Sequence, residues 1–537
     1  MNKINLIIDK PKLQAKSDSF SPSEEIIKEG TNAWDEAHKY RDKNKLDFYV
    51  EPEIDEELFD LDLQKKLILK SDKPNYLKTW PLPPDIDNKF VWHLENDYSE
   101  LNLAREKVIQ KINKEKCIRI AHIDTGYQPG HEALPKHLDT GISFVKDEIG
   151  KAAVDTTRGS FAEQDGHGTA TMCILAGGEI TFDGNGHYYK GYFGGIPFAE
   201  IIPIRISDTV ALIRSQNFVK AVEYAIQKGC EVISMSMAGA PTREWAKVVN
   251  KAYEAGVTIV TAAGNSWNKG GQKLLPKKVL YPARWERVIA ATGVTSNHFP
   301  YIFKAQLSNK SEGGETMQGN YGPKKAMKSA IAAYTPNTPW PTMNEAENNI
   351  YYRFDGGGTS TATPQVAAAA ALWLSYYKEE IDEIIGDSSS DKWKKVEAVK
   401  YALFNSADKT TYRQWEKYYG NGILKANKAL KIFPGFDILK RAKKSRATLN
   451  GILDLLGIML RLKAKEITEN EMAKEEMFST ELLQHLHINP NLHDYLDIND
   501  DGDENVFWTK EQKSRIVEVL LVSENTSEAL KLRLKEL

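Results

Sequence analysis

Between residues 90 and 430 the chain alternates two kinds of apolar pattern. Short runs of nearly continuous hydrophobicity occur at 117–124 (CIRIAHID), 199–206 (AEIIPIRI), 230–237 (CEVISMSM), 257–264 (VTIVTAAG) and 287–294 (RVIAATGV). A strand with one wet face would alternate apolar and polar residues. Unbroken runs belong to strands covered on both faces. Stretches such as 215–229 (SQNFVKAVEYAIQKG) and 243–256 (REWAKVVNKAYEAG) lie between them and read as helices. Strands alternating with helices predict an α/β fold, with a central parallel sheet and helices on both faces.

The pattern changes at both ends. Residues 1–70 are polar and charged, with strand candidates at 4–9 (INLIID) and 45–53 (KLDFYVEPE) around a helical piece at 32–41. Four prolines within 73–88 favour an extended linker, assigned to 71–89. After 434–436 (PGF) the composition shifts to Leu, Lys and Glu, and 434–537 reads as a helical C-terminal domain. The repeating α/β region is thus 90–433.

Composition narrows the partners. Hydrophobic residues make up 41% and charged residues 27%, ordinary for a globular protein. A net charge of -3 and a pI of about 6.5 argue against nucleic acid, whose binders carry a basic stripe. The longest apolar helix candidate, 449–460, contains Asp454 and falls well short of the ~20 residues a membrane span needs. The N-terminal run INLII is too short for a secretory h-region. Cys117, Cys173 and Cys230 form no CxxC pair and are odd in number, so they read as small buried hydrophobes. These features together give an expectation of a cytoplasmic protein with neither membrane nor nucleic-acid partners.

Four short motifs carry chemistry. Asp124-Thr125-Gly126 closes the first of the strand runs, at the rim where α/β sites form. Asp165-Gly166-His167-Gly168-Thr169 places His167 at the start of a buried helix. Gly358-Thr359-Ser360-Thr361-Ala362-Thr363-Pro364 opens an Ala-rich helix, and Pro364 is expected in its first turn. Ser360 then lies where helix N–H groups favour an anion. Ala262-Ala263-Gly264-Asn265 ends another strand, and an Asn there can donate to an oxyanion. The four fill the roles of acyl transfer: Ser360 as nucleophile, His167 as base and then acid, Asp124 as orienting carboxylate, Asn265 as oxyanion donor.

In this order the motifs resemble those of the subtilisin-like serine proteases, the subtilases, over roughly residues 90–432. The segments 194–206, 232–239, 279–294 and 419–430 resemble the family less sharply. The resemblance implies a serine endopeptidase acting on polypeptides, with no cofactor required for catalysis. It places Ser236, Met237, Ala238 and Gly264 along the substrate. The family's Ser-Leu-Gly is Ser236-Met237-Ala238 here, so the Ala238 methyl is expected to narrow a subsite, and insertions such as 266–278 to reshape the cleft. Residues 32–53 resemble the helix and last strand of a subtilase propeptide, which implies intramolecular inhibition by the N-terminal region. The alternative is a latent or inactive subtilisin-fold protein acting as a regulated binding module.

Other candidates read more plainly. A second Asp-Thr-Gly at Asp139 is too close for a two-lobed aspartic protease and reads as a turn. His122 and His131 read as core or surface residues, and Cys173 as part of an apolar helix. Near the C-terminus, Asp497, Asn499, Asp501 and Asp503, with Gly502, match the first half of a calcium loop. Its last position is Trp508 where a bidentate acid is expected. Calcium and a solvated acidic turn both stand as readings.

Overall fold

The computed structural model describes residues 6–8, 32–45, 48–53, 80, 82, 90–112, 118–157, 166–184, 187–210, 215–267, 276–304, 317–344, 349–386, 390–459, 461, 467–496 and 508–537. The described strands are β1 (Leu6–Ile8), β2 (Val50–Pro52), β3 (Arg119–Asp124), β4 (Ile142–Ser143), β5 (Glu179–Gly184), β6 (His187–Tyr192), β7 (Glu200–Arg205), β8 (Val232–Met235), β9 (Thr258–Ala262), β10 (Asn265–Trp267), β11 (Ile289–Val294), β12 (Met317–Gly319), β13 (Ala330–Tyr334), β14 (Thr338–Asn344) and β15 (Asn349–Gly356). Seven of them form one sheet in the order β13-β11-β9-β8-β3-β7-β4, with every neighbouring pair parallel. All five apolar runs read from the sequence lie in this sheet.

The pleat divides the sheet residues between two cores. Ile120 of β3 faces one side, while Ala121 and Ile123 face the other. The first core is closed by α2 (Leu101–Lys111), α3 (His167–Ala176), α6 (Thr359–Tyr376) and α7 (Trp393–Ser406). Every residue of α3 is buried, as are Thr359 through Leu374 of α6. The alanines of α6 let it lie close against β8, β9, β11 and β13.

The second core is shared between domains. On the sheet side it takes Phe218 and Val222 of α4 (Ser215–Gln227), with Trp245 and Val249 of α5 (Arg243–Glu254). The C-terminal helices α8 (Asn450–Leu455), α9 (Glu469–Ile488), α10 (Lys510–Val522) and α11 (Glu528–Lys535) add Ile452, Leu456, Phe478, Leu482, Ile516 and Leu530. The apolar segment 449–459 is therefore covered by the sheet domain as well as by its own neighbours. Helices α9 and α10 begin in reciprocal capping boxes, Thr468 with Glu471 and Thr509 with Gln512.

The N-terminal unit sits where these domains meet. Strands β1 and β2 pair antiparallel, and α1 (Ala33–Lys43) packs Trp34 and Ala37 with Tyr49, Val50, Ala473 and Met477. Trp34 Nε1 donates to Gln484 Oε1 at 3.0 Å, and Gln484 Nε2 donates to the Pro241 carbonyl at 3.1 Å. The Asp35 carboxylate accepts from Glu528 and Ala529 N–H, at the start of α11. Glu51, fully buried, accepts from Arg243 and Glu244 N–H at 3.2 Å each, at the start of α5. Both carboxylates thus meet the positive end of a helix.

Among the features unread in the sequence are strands β4 and β13, the β10–β12 pair, and the hairpins β5–β6 and β14–β15. The run AIAAY of β13 is too alanine-rich to signal a strand, and β14 contains two prolines, Pro339 and Pro341. Cys117, most of the 266–278 insertion, and Asp497, Asn499, Asp501 and Asp503 lie outside the described residues.

Candidate active site

The parallel strands deliver the motif residues to one edge of the sheet. Asp124 is the last residue of β3, Ser236 follows β8, and Gly264-Asn265 follow β9. Ile123 pairs with Met235, so Asp124 and Ser236 leave the sheet side by side. This is the carboxyl edge, where an open α/β sheet forms its crevice.

Asp124 is fully buried. Its Oδ1 lies 2.6 Å from His167 Nδ1 and accepts from Thr125 N–H at 2.8 Å. Its Oδ2 accepts from Thr171 Oγ1 at 3.2 Å. Burial alone would raise this carboxyl. The charge and hydrogen bond of His167, with His122 and the Thr125 N–H, outweigh it and hold Asp124 below the usual carboxylate range. An ionised Asp124 accepts the Nδ1 proton, which leaves the lone pair of neutral His167 on Nε2. Nε2 has no hydrogen-bond partner among the described residues, and the Trp340 ring packs edge-to-face with the imidazole, their centroids 5.5 Å apart.

The turn before α3 is held from below. Gly166, at φ 71°, donates its N–H to Asp155 Oδ2 at 3.0 Å. Gly168 N–H donates to Thr125 Oγ1 at 3.0 Å. Arg205, also buried, donates to the Thr125 carbonyl and to Glu148 Oε2, the latter at 2.8 Å. The Asp124 turn and the His167 turn are therefore one hydrogen-bonded block.

Ser360 is the second residue of α6 and is buried. Its hydroxyl donates to the Ser236 carbonyl at 3.3 Å, and Ser236 Oγ donates to the Ser360 carbonyl at 2.9 Å. Here the expectation for Pro364 needs correcting: it sits inside the helix as the sixth residue, beyond the first turn. Proline has no N–H, so the Ser360 carbonyl lacks its usual partner four residues on. The Ser236 hydroxyl takes that place, which makes an interior proline tolerable here.

Asn265 Oδ1 accepts from Thr359 N–H at 2.9 Å and from Thr359 Oγ1 at 3.3 Å. With the oxygen so engaged, Nδ2 is presented on the other side as a donor, close against Gly358. The Ser360 N–H, in the first turn, has no carbonyl within the helix to donate to. Gly264, at φ +101°, leaves no room for a Cβ against Asn320 and Leu280. The Met237 side chain is buried in the second core, so its backbone alone is left for a substrate. Ala238 N–H donates to the Val210 carbonyl at 3.2 Å.

The remaining candidates fall away from this cluster. Asp139 Oδ1 accepts from Gly141 N–H at 2.7 Å, an Asx turn as expected. His131 Nδ1 accepts from Ala133 N–H at 3.1 Å, and its ring meets Tyr352 edge-on. Burial pushes the Cys230 thiol up to about 12 and the Cys173 thiol higher still, so neither is a ready nucleophile. No cluster of three potential metal ligands occurs among the described residues. Sequence reasoning passed over Thr171, Asp155 and Trp340. Thr171 had a usable signal, since it follows His167 by four residues and shares its helix face. Asp155, from a loop, and Trp340, from β14, had none.

Comparison with known proteins agrees with this geometry. The Subtilase family pattern matches residues 115–422. The chain is 30% identical over 279 residues to subtilisin DY of Bacillus licheniformis, covering 51% of this chain and 83% of that protein. It is 26% identical over 277 residues to the major intracellular serine protease of Bacillus subtilis (strain 168), covering 51% and 74%. It is 26% identical over 314 residues to subtilisin E of the same organism, covering 58% and 65%. With the parallel sheet, the buried pair at its edge and a family match spanning more than half its length, the chain belongs to the subtilase family and is a serine-type endopeptidase.

Proposed function

We propose that Ser360, His167 and Asp124 perform the hydrolysis of polypeptides, with Asn265 as the oxyanion donor. The observation that carries this reading is the 2.6 Å contact between His167 Nδ1 and Asp124 Oδ1, which leaves Nε2 as an open base. His167 Nε2 takes the Ser360 proton as Oγ attacks the scissile carbonyl, and Asp124 stabilises the imidazolium. The oxyanion is met by Asn265 Nδ2 and the Ser360 N–H at the helix start. His167 then protonates the leaving amine, and water repeats the sequence on the acyl-enzyme. Every group in this cycle belongs to the chain, and no cofactor enters it. The polypeptide runs past Ser236, Met237, Ala238 and Gly264. A cytoplasmic location belongs to the same reading, supported by the free buried thiols Cys173 and Cys230. The test is labelling by a fluorophosphonate probe. Wild type should label and Ser360→Ala should not; equal labelling of both would reject Ser360 as the nucleophile.

One observation favours a second reading, restraint by the N-terminal unit. Glu51 and the Trp34–Gln484–Pro241 bridge dock this unit at the start of α5. If docking restrains the enzyme, Glu51→Ala combined with Trp34→Ala in the full chain should raise the fluorophosphonate labelling rate several-fold. A folded double variant that labels at the wild-type rate removes the reading.

A further inference from the structure

Behind the Asp124–His167 pair lie two polar side chains that the reaction cycle above does not use. His122 is two residues before Asp124 on β3, on the same face, and is 1% exposed. Its Nε2 lies 2.9 Å from Thr171 Oγ1 and 4.0 Å from Asp124 Oδ2. Thr171 is fully buried on α3, and its hydroxyl lies 3.2 Å from Asp124 Oδ2. Two apolar side chains would fill this volume without leaving polar atoms to satisfy, so the polar pair calls for an explanation.

The protons have a preferred order. The Thr171 hydroxyl has one proton and three oxygen acceptors in reach, Asp124 Oδ2 and the His167 and Gly168 carbonyls at 3.2 and 3.3 Å, besides His122 Nε2, which accepts only in the Nδ1–H tautomer. The ionised carboxylate is the strongest of them. A hydroxyl donating to Asp124 can receive from His122 only if Nε2 carries that ring's proton. The other tautomer would bury an N–H at Nδ1, which has no partner among the described residues. A buried orphan N–H is costly. Burial also drives His122 down to about 4, against the pull of Asp124, so the ring is neutral at neutral pH.

We propose that His122 and Thr171 form a donor relay, from Nε2–H through Oγ–H to Asp124 Oδ2, that fixes the rotation of the carboxylate facing His167. Both are positioning residues. The proposal rests on the reading of Asp124 and His167 as the orienting acid and base. Asp124 is then held at both oxygens, by Thr125 N–H on one and Thr171 on the other. Chained hydrogen bonds polarise one another, so the effect of His122 reaches Asp124 through Thr171. The relay also draws carboxylate charge away from His167.

The test reads both consequences. Among the described residues, the titratable groups around His167 are Asp124 and, behind it, the neutral His122. Asp155 and Arg205 act through Gly166 and Thr125. From β14 the Trp340 ring packs against it, and in the proposed cycle the uncharged Ser360 of α6 approaches Nε2. Thr171→Val removes a donor from Asp124, whose uncompensated charge then favours the imidazolium. The acid limb of fluorophosphonate labelling should move to higher pH by about half a unit, and the rate plateau should fall several-fold. His122→Phe should move the limb the same way by less. Adding it to Thr171→Val should change nothing further, because the relay is already cut. Thr171→Ser should restore the wild-type profile. Nitrogen-15 spectra of the full-length protein should show His122 protonated at Nε2. An unmoved limb in Thr171→Val, additive effects in the double variant, or a proton on Nδ1 overturns the relay. If the wild-type chain labels at no pH, the proposed function fails, while the His122 tautomer still decides the relay.

Discussion

Replacing His167 by alanine should lower the turnover of denatured casein by on the order of 10⁶-fold, the size of the loss measured in a subtilisin when its catalytic histidine is removed. The physical reason is local. In the proposed cycle His167 Nε2 is the base, without a partner among the described residues, and its other nitrogen is fixed by Asp124 at 2.6 Å. The loss should appear in kcat with KM little changed, since the imidazole acts on a proton and not on the bound chain. A second consequence distinguishes this pair from a surface His–Asp contact. The Asp124 carboxyl is held below its usual value of about 3.9. It therefore contributes stability that is present above that pH and is lost as pH falls through the lower, folded-state value. Without His167 the largest opposing influence goes, and burial raises the carboxyl instead. Ionised Asp124 then weakens the fold at neutral pH, a penalty relieved on acidification. Urea midpoints of wild type and variant should differ most at pH 7 and converge toward pH 3. A constant gap would mean that His167 contributes packing and no charge interaction.

Gly168→Ala should destabilise the fold by more than about 3 kcal/mol. In most helix interiors this change stabilises, by roughly 0.5–1 kcal/mol. Here the added Cβ would stand 2.0 Å from the Gly126 carbonyl oxygen. Neither partner can swing aside, because the obstacle is backbone and Gly168 N–H is tied to Thr125 Oγ1. To relieve the overlap, α3 must lift away from the Asp124 turn. That motion pulls His167 from Asp124, and displacement of a catalytic group by about 1 Å costs on the order of 10²-fold in rate. A folded variant should therefore label slowly with fluorophosphonate even at temperatures well below its midpoint. A Gly168→Ala protein with wild-type urea midpoint and labelling rate would show that the two turns are not rigidly coupled.

The two changes probe one arrangement from different sides. Ser236 and Thr125 each supply a hydroxyl to a backbone group that its helix leaves without a partner: the Ser360 carbonyl, which Pro364 cannot meet, and the Gly168 N–H of the first turn. The four motifs are thus built into each other: Asn265 holds Thr359, Ser236 holds Ser360, Asp155 holds Gly166, and Thr171 holds Asp124.

Much of this was legible along the chain. The five continuous apolar runs, short and rich in Ile and Val, read as strands covered on both faces. The motifs marking Asp124, His167, Asn265 and Ser360 are local, since each needs a glycine or a small residue at a strand end or helix start, and such needs are written within a few positions. Tertiary structure alone decided what meets them. His122 looked like a packing residue on a strand, and only the approach of α3 gave its ring a hydroxyl to donate to. Pro364 looked like a first-turn residue, and only Ser236, from a strand 124 positions away, made an interior proline workable. Residues 434–537 read as a helical C-terminal domain, and only the structure shows that 449–459 shares its core with α4 and α5 of the sheet domain. Composition states that an apolar face must be covered, and periodicity states which residues form it. Neither names the partner, because many distant segments satisfy the same hydrophobic requirement, and the choice among them is made by shape and hydrogen bonding once the chain has folded.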